Sequence, residues 1–268
     1  MGTSSIYNGP KDKNPLLPEG FEDEYNQNKQ ENNDDYQEPS EPSLDFPWQA
    51  TKKSMSQFIN GRSQNRGRIA KNYVRALGGA TNAAKSAKAA KSSTIQLGRF
   101  LSDIITEGIE KTLNSLEIEF RGKSVESLFS ELVNVVAGNS NSKEDIAAKN
   151  ASMEALSELY EFLVENEMDI RLLEKIDENL FNKVMKTFVN SYLKERLLKD
   201  LQSRFEKYAD DLSIAVAKEN EVKEYIFESV AVKLDEVRFN SLDYRNKNID
   251  QIVEGIFRDC YEVLEAYI

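Results

Sequence analysis

Through the C-terminal two thirds of the chain, apolar residues return every three or four positions, the spacing that keeps side chains on one face of an α-helix. Ile105, Ile109, Leu113 and Leu116 predict one helix. Val125, Leu128, Phe129, Leu132, Val133 and Val136 predict the next, ended by Gly138-Asn139. Ser142 and Asp145 have the spacing of a capping pair and open a third, whose expected core face is Ile146, Met153, Leu156, Tyr160 and Leu163. A long fourth helix runs from Leu180 through Phe188 and Tyr192 to Tyr208, and a fifth from Leu212 through Ile226 towards Val237. Ile249, Ile252, Val253, Ile256, Phe257, Cys260, Leu264 and Tyr267 form a last apolar stripe. No stretch alternates with period two, so the fold class expected is all-α, a helical bundle of about five to seven helices.

Upstream the pattern changes. Ile69, Tyr73 and Leu77 mark a short amphipathic helix that stops at Gly78-Gly79, and Ala80 to Lys91 forms an alanine-rich helical piece. Residues 1–50 hold Gly, Pro, Asn, Gln, Ser and acids in excess, too little apolar surface to offset the entropy of ordering, which predicts a disordered arm. Two apolar islands interrupt it: Leu16 and Leu17 with Phe21, and Phe46 with Trp48. Both are candidate docking motifs, for a partner groove or for the body itself. All six prolines lie at or before Pro47, consistent with uninterrupted helix beyond it.

Charge divides the chain at the same places. Net charge is −8 over residues 1–50, +11 over residues 51–100 and −14 over residues 101–268. Three regions follow: an acidic Pro-containing arm (1–50), a basic Ala/Gly/Lys-rich helical segment (51–100) and an acidic all-α domain (101–268). In the basic segment Arg62, Arg66, Arg68, Lys71, Arg75, Lys85, Lys88 and Lys91 make the one concentrated positive patch. Lys85, Lys88 and Lys91 repeat every third residue, a basic stripe that drifts about 60° per step beside a smooth alanine face. The patch either packs on the acidic body or meets an external polyanion, nucleic acid included.

The chemistry available is narrow. Histidine is absent, which removes the commonest general base and metal ligand and makes Ser-His-Asp and Cys-His arrangements impossible. Zinc sites and disulfides within the chain are likewise not expected, because Cys260 is the single cysteine and its helical neighbours place it in a core. Arg121-Gly122-Lys123-Ser124 resembles the end of a phosphate-binding loop, but Glu117 stands where that loop needs glycine. Ser124 reads instead as a helix N-cap. The carboxylates occur in solvated runs, and a pair assembled from separate helices is left open. Catalysis, cofactor and metal are therefore not expected. No apolar run is long enough to span a bilayer, and the N-terminus lacks a secretory leader, which predicts a cytoplasmic protein without membrane attachment. Met1-Gly2 opens like a myristoylation signal, but Ile6 stands where that signal has Ser or Thr.

Three stretches carry a resemblance. Met1-Gly2-Thr3-Ser4-Ser5 with Gly9-Pro10 and Asn14-Pro15-Leu16-Leu17-Pro18, then Lys71 to Ala80, then Ile256 to Tyr267, are similar to QatB proteins of the bacterial antiphage defence system Qat. Lys11-Asp12-Lys13 replaces a glycine-rich run of the family's arm. The resemblance implies an accessory subunit without enzymatic fold, whose partners are a P-loop ATPase, a QueC-like enzyme of deazaguanine chemistry and a TatD-like nuclease. QueC-type enzymes activate a carboxylate with ATP and form an amide. Gly2, freed by removal of Met1, is on this reading a candidate acceptor amine.

Overall fold

The computed structural model describes residues 47–138, 141–208 and 212–266, with the backbone alone for 205–208 and 212. Among them are ten α-helices, two 3-10 turns and no strand: α1 (Pro47–Ile59), α2 (Arg66–Ala76), α3 (Ala80–Ser86), α4 (Lys88–Glu107), α5 (Ile109–Ser115), α6 (Val125–Ala137), α7 (Lys143–Val164), α8 (Glu178–Tyr208), α9 (Leu212–Asp235) and α10 (Ile249–Glu265). The turns are Ile170–Lys175 and Phe239–Ser241. The all-α class holds, and the number of helices exceeds the five to seven expected.

The extra helices have physical causes. α1 carries the polar-looking sequence Thr51-Lys52-Lys53-Ser54 yet buries Thr51 and Ser54, because their hydroxyls donate to Pro47 O (2.9 Å) and Ala50 O (2.8 Å) and leave nothing unsatisfied. The alanine-rich piece bends at Ala87 (φ −80°, ψ 54°), so Lys85 and Lys91 lie on different helices. Gly108, at φ +86°, divides what the apolar spacing joined: Ile109 and Leu113 are buried in α5, whereas Ile105 at the end of α4 is 46 % exposed.

α8 is the central mast. Its 31 residues, about 46 Å of helix, present Phe181, Val184, Met185, Phe188, Tyr192, Leu197 and Leu201 to the core and pack against α1, α4, α7 and α9. α7 lies along it on a face of alanines: Ala147, Ala148, Ala151 and Ala155 are all fully buried. Ile146 and Met153, expected in the core, are on the solvent side. Small residues permit close helix approach, so the buried face of α7 is rotated about a third of a turn from the one its large residues suggest. A second alanine face, Ala80, Ala83 and Ala84 of α3, packs on α10, and α1 and α2 form an antiparallel hairpin. α4 crosses the point where the chain's charge changes sign, and its Leu97, Leu101 and Ile104 share one core with α7 and α8.

Local end signals behave as their residues dictate. Ser124 Oγ accepts from Ser127 N at the start of α6, and Ser142 and Asp145 form a reciprocal capping box on α7. Cys260 is fully buried, and burial pushes its thiol up to about 12.

Candidate partner-binding surface

The basic segment folds mainly into α1, α2 and the elbow between α3 and α4. On α2, Ile69, Ala70, Tyr73 and Val74 face inward, and the helical period then places Arg68, Lys71 and Arg75 together on the opposite side. Arg62 is exposed in the turn after α1; Arg66 and Arg68 occupy the first turn of α2, which contains no acid. Lys85 and Lys88 are exposed on either side of Ala87. Among the described residues none of these seven has a carboxylate within ion-pair distance.

Lys91 departs from the expected stripe. It is 7 % exposed and turned inward, its Nζ 2.6 Å from Glu254 and 3.4 Å from Asp250 of α10. Burial alone would pull the ammonium down, but the hydrogen bond to Glu254 and the field of Asp250 outweigh it and the group is raised. Glu254 is correspondingly held below the ordinary carboxylate range, chiefly by the hydrogen bond from Lys91. For this one residue, packing on the acidic body is the outcome.

A buried polar network fastens the basic helices to the body. Arg196 of α8, 8 % exposed, donates through Nη2 to Ser86 Oγ (2.7 Å) and through Nη1 to Tyr192 Oη (2.9 Å), Tyr261 Oη (3.4 Å) and Ala83 O (3.4 Å). Tyr192 donates in turn to Glu144 Oε1 at 3.0 Å. The Glu144 carboxylate also accepts from Ala89 N (3.0 Å) and Ala90 N (3.1 Å), closing the N-terminus of α4, whose own cap position, Ala87, has no side chain to offer. Glu265 caps α3 in the same manner at Ala80 N (3.0 Å), and Glu174 caps α5 at Ile109 N (3.0 Å). Tyr73 of α2 donates to Asp200 at 2.7 Å. Burial first, then the neighbouring Tyr261 and Asp200, pushes the Tyr73 phenol well above its usual range, so it stays a donor.

Residues 78–264 match the family model of the Qat anti-phage system associated protein QatB. The chain belongs to the QatB family. No curated protein and no solved structure matches it significantly. The QatB match runs from the Gly78-Gly79 turn through α10 and contains Glu144, Arg196 and Tyr261; α1 and α2, with Arg62, Arg66, Arg68, Lys71 and Arg75, precede it.

Of the candidate docking residues, Trp48 is described: it opens α1, stays 38 % exposed and meets Tyr73 edge-on at 6.0 Å between ring centres. Gly2, Leu16, Leu17, Phe21 and Phe46 lie outside the described residues. Near the C-terminus a cleft of about 210 Å³ is bordered by Lys233, Glu236, Asp259 and Cys260. Lys233 is paired with Glu236 and the Cys260 thiol is buried, so its polar groups answer one another. No group of three or more His, Cys, Asp and Glu among the described residues could hold a metal ion, and no described helix is long and apolar enough to cross a membrane. The capping carboxylates Glu144, Glu174 and Glu265 and the buried Arg196 were not singled out by sequence reasoning, because nothing within a few residues of them signals the role.

Proposed function

We propose that this chain is a non-catalytic adaptor of the Qat antiphage system, whose helical body holds the system's P-loop ATPase while its N-terminus is offered to the QueC-like enzyme. Membership of the QatB family is the observation that carries the reading. Two features support it. The absence of histidine restricts acid–base chemistry at neutral pH, and the polar groups gathered inside the body, Glu144, Tyr192 and Arg196, are engaged in fastening helices to one another. A surface for a protein partner is available on α7, whose solvent side carries Ile146, Met153 and Val164, 39 %, 54 % and 52 % exposed. These lie seven and eleven residues apart, about two and three helical turns.

At the N-terminus the acceptor is the α-amine of Gly2 after removal of Met1. The amine attacks the activated carboxyl carbon of a deazaguanine acid, an amide bond forms, the activating group leaves and the amine loses its proton. Small residues around the acceptor, Thr3, Ser4 and Ser5, suit threading into an enzyme's active site. Intact mass of the N-terminal peptide, after incubation with the QueC-like enzyme, ATP and the acid, tests this. The expected result is a gain equal to the acid less one water, located at Gly2; an unchanged mass removes this part of the proposal.

A further inference from the structure

We propose that the solvent face of α2 binds the phosphate backbone of a nucleic acid without reading its sequence. The proposal rests on the geometry of α2 and is independent of the adaptor reading. Arg68, Lys71 and Arg75 project from one side of a helix whose other side is fixed to α8 by the Tyr73 bond to Asp200 and to α1 by the Asn72 bond to Ser54. They span about 10 Å of axis, over which a duplex presents about six phosphates. Arg62 and Arg66 add two cations at the N-terminal end.

Three observations identify the occupant as an anion and favour phosphate. First, none of the five has a carboxylate partner among the described residues, although the chain is acidic overall and forms ion pairs at Lys183, Lys186, Lys194, Lys218, Arg245 and Arg258. Second, no Asp or Glu occurs from Pro47 to Ser102, so the segment carries no acid of its own. Third, Arg66 and Arg68 sit in the first turn of α2, at the positive end of the helix dipole. That placement is unfavourable in the free protein and becomes favourable when an anion bridges the guanidinium groups and the helix end. An acidic protein surface would have to outcompete the chain's own acids, −8 over residues 1–50 and −14 over residues 101–268, which neighbouring copies of this chain also carry. A nucleic acid does so through its denser line of charge, and the arginine fork fits a phosphate at two points.

The test is fluorescence anisotropy of the full chain with labelled single- and double-stranded DNA of mixed sequence, about 30 nucleotides long, at 50 and 200 mM salt. With five phosphate contacts, affinity for the duplex falls roughly 500-fold over that range. The variant Arg68→Gln/Lys71→Gln/Arg75→Gln lowers the slope of log affinity against log salt by about 2 to 3, whereas Lys111→Gln, an exposed lysine on α5, leaves it unchanged. Arg75→Gln alone, at an exposed position, lowers it by about 0.9 and serves if the triple variant does not fold. Absence of binding at 50 mM salt, a slope unmoved by Arg75→Gln, or displacement by poly-glutamate as effective as by unlabelled DNA overturns the proposal. The last result would make the surface one for acidic protein. None of these results bears on co-purification with the Qat proteins, so the two readings fail separately.

Discussion

Arg196 is a buried cation with no carboxylate beside it among the described residues; its company is three hydroxyls and a carbonyl. Taking a guanidinium out of water is costly, and the bonds to Ser86, Tyr192, Tyr261 and Ala83 offset that cost only as a set. Arg196→Met strips all four acceptors of this donor and lowers stability by about 3 kcal/mol, measured by urea unfolding. Arg196→Lys recovers little of it, because a single ammonium cannot reach Ser86 and Tyr192 as the fork does. Equal stability of Arg196→Met and the parent would show that the network holds nothing. The Lys91 pair makes a prediction in pH. Glu254 is depressed in the folded chain, so its contribution is present above the ordinary value of 4.5 and is lost as pH falls through the depressed one. In Lys91→Met the loss of urea resistance between about pH 5 and pH 3 is therefore shallower than in the parent. Parallel profiles would assign the pair no part in acid stability.

Gly98, in the interior of α4, shows how helix packing overrides helix propensity. Alanine there would favour the isolated helix by up to about 1 kcal/mol. In the fold its Cβ would overlap the Tyr244 ring at Cε1, and Tyr244 is held by its own bond to Phe239 O (2.9 Å). Gly98→Ala is expected to lower stability by about 2 kcal/mol and to reduce the melting temperature; a rise would mean the ring moves aside freely. The same contrast between near and distant neighbours governs what the sequence discloses. Ser124, the Ser142 and Asp145 box, and the Gly78-Gly79 stop are legible because a cap and its target lie within one turn. The caps of α3, α4 and α5 come from Glu265, Glu144 and Glu174, 185, 55 and 65 residues from the amides they serve, and no local pattern announces them. The turned face of α7 was missed for a related reason, since large side chains dominate a periodicity reading while alanines decide how close two helices lie. At the candidate surface, the α2 cations stand out in the sequence by composition, as basic residues in a stretch without acids. The inward turn of Lys91 was not, because it depends on the break at Ala87 and on the acids of α10.

Across the whole molecule the described residues belong to one compact unit that includes the basic helices, and residues 78–264 of it match the QatB family model. The positive face is thus presented by an acidic, internally fastened body rather than by a separate module. Such an arrangement suits a protein that works by holding others, with Ile146, Met153 and Val164 offered on α7 and a cationic face on α2. The central claim is that the chain acts through Qat partners, and co-purification tests it most directly. The tagged full chain, expressed with the ATPase and the QueC-like enzyme of its own system, is predicted to carry the ATPase through size exclusion as a stable complex. A chain that elutes alone at every salt concentration, with neither protein bound, would contradict the account.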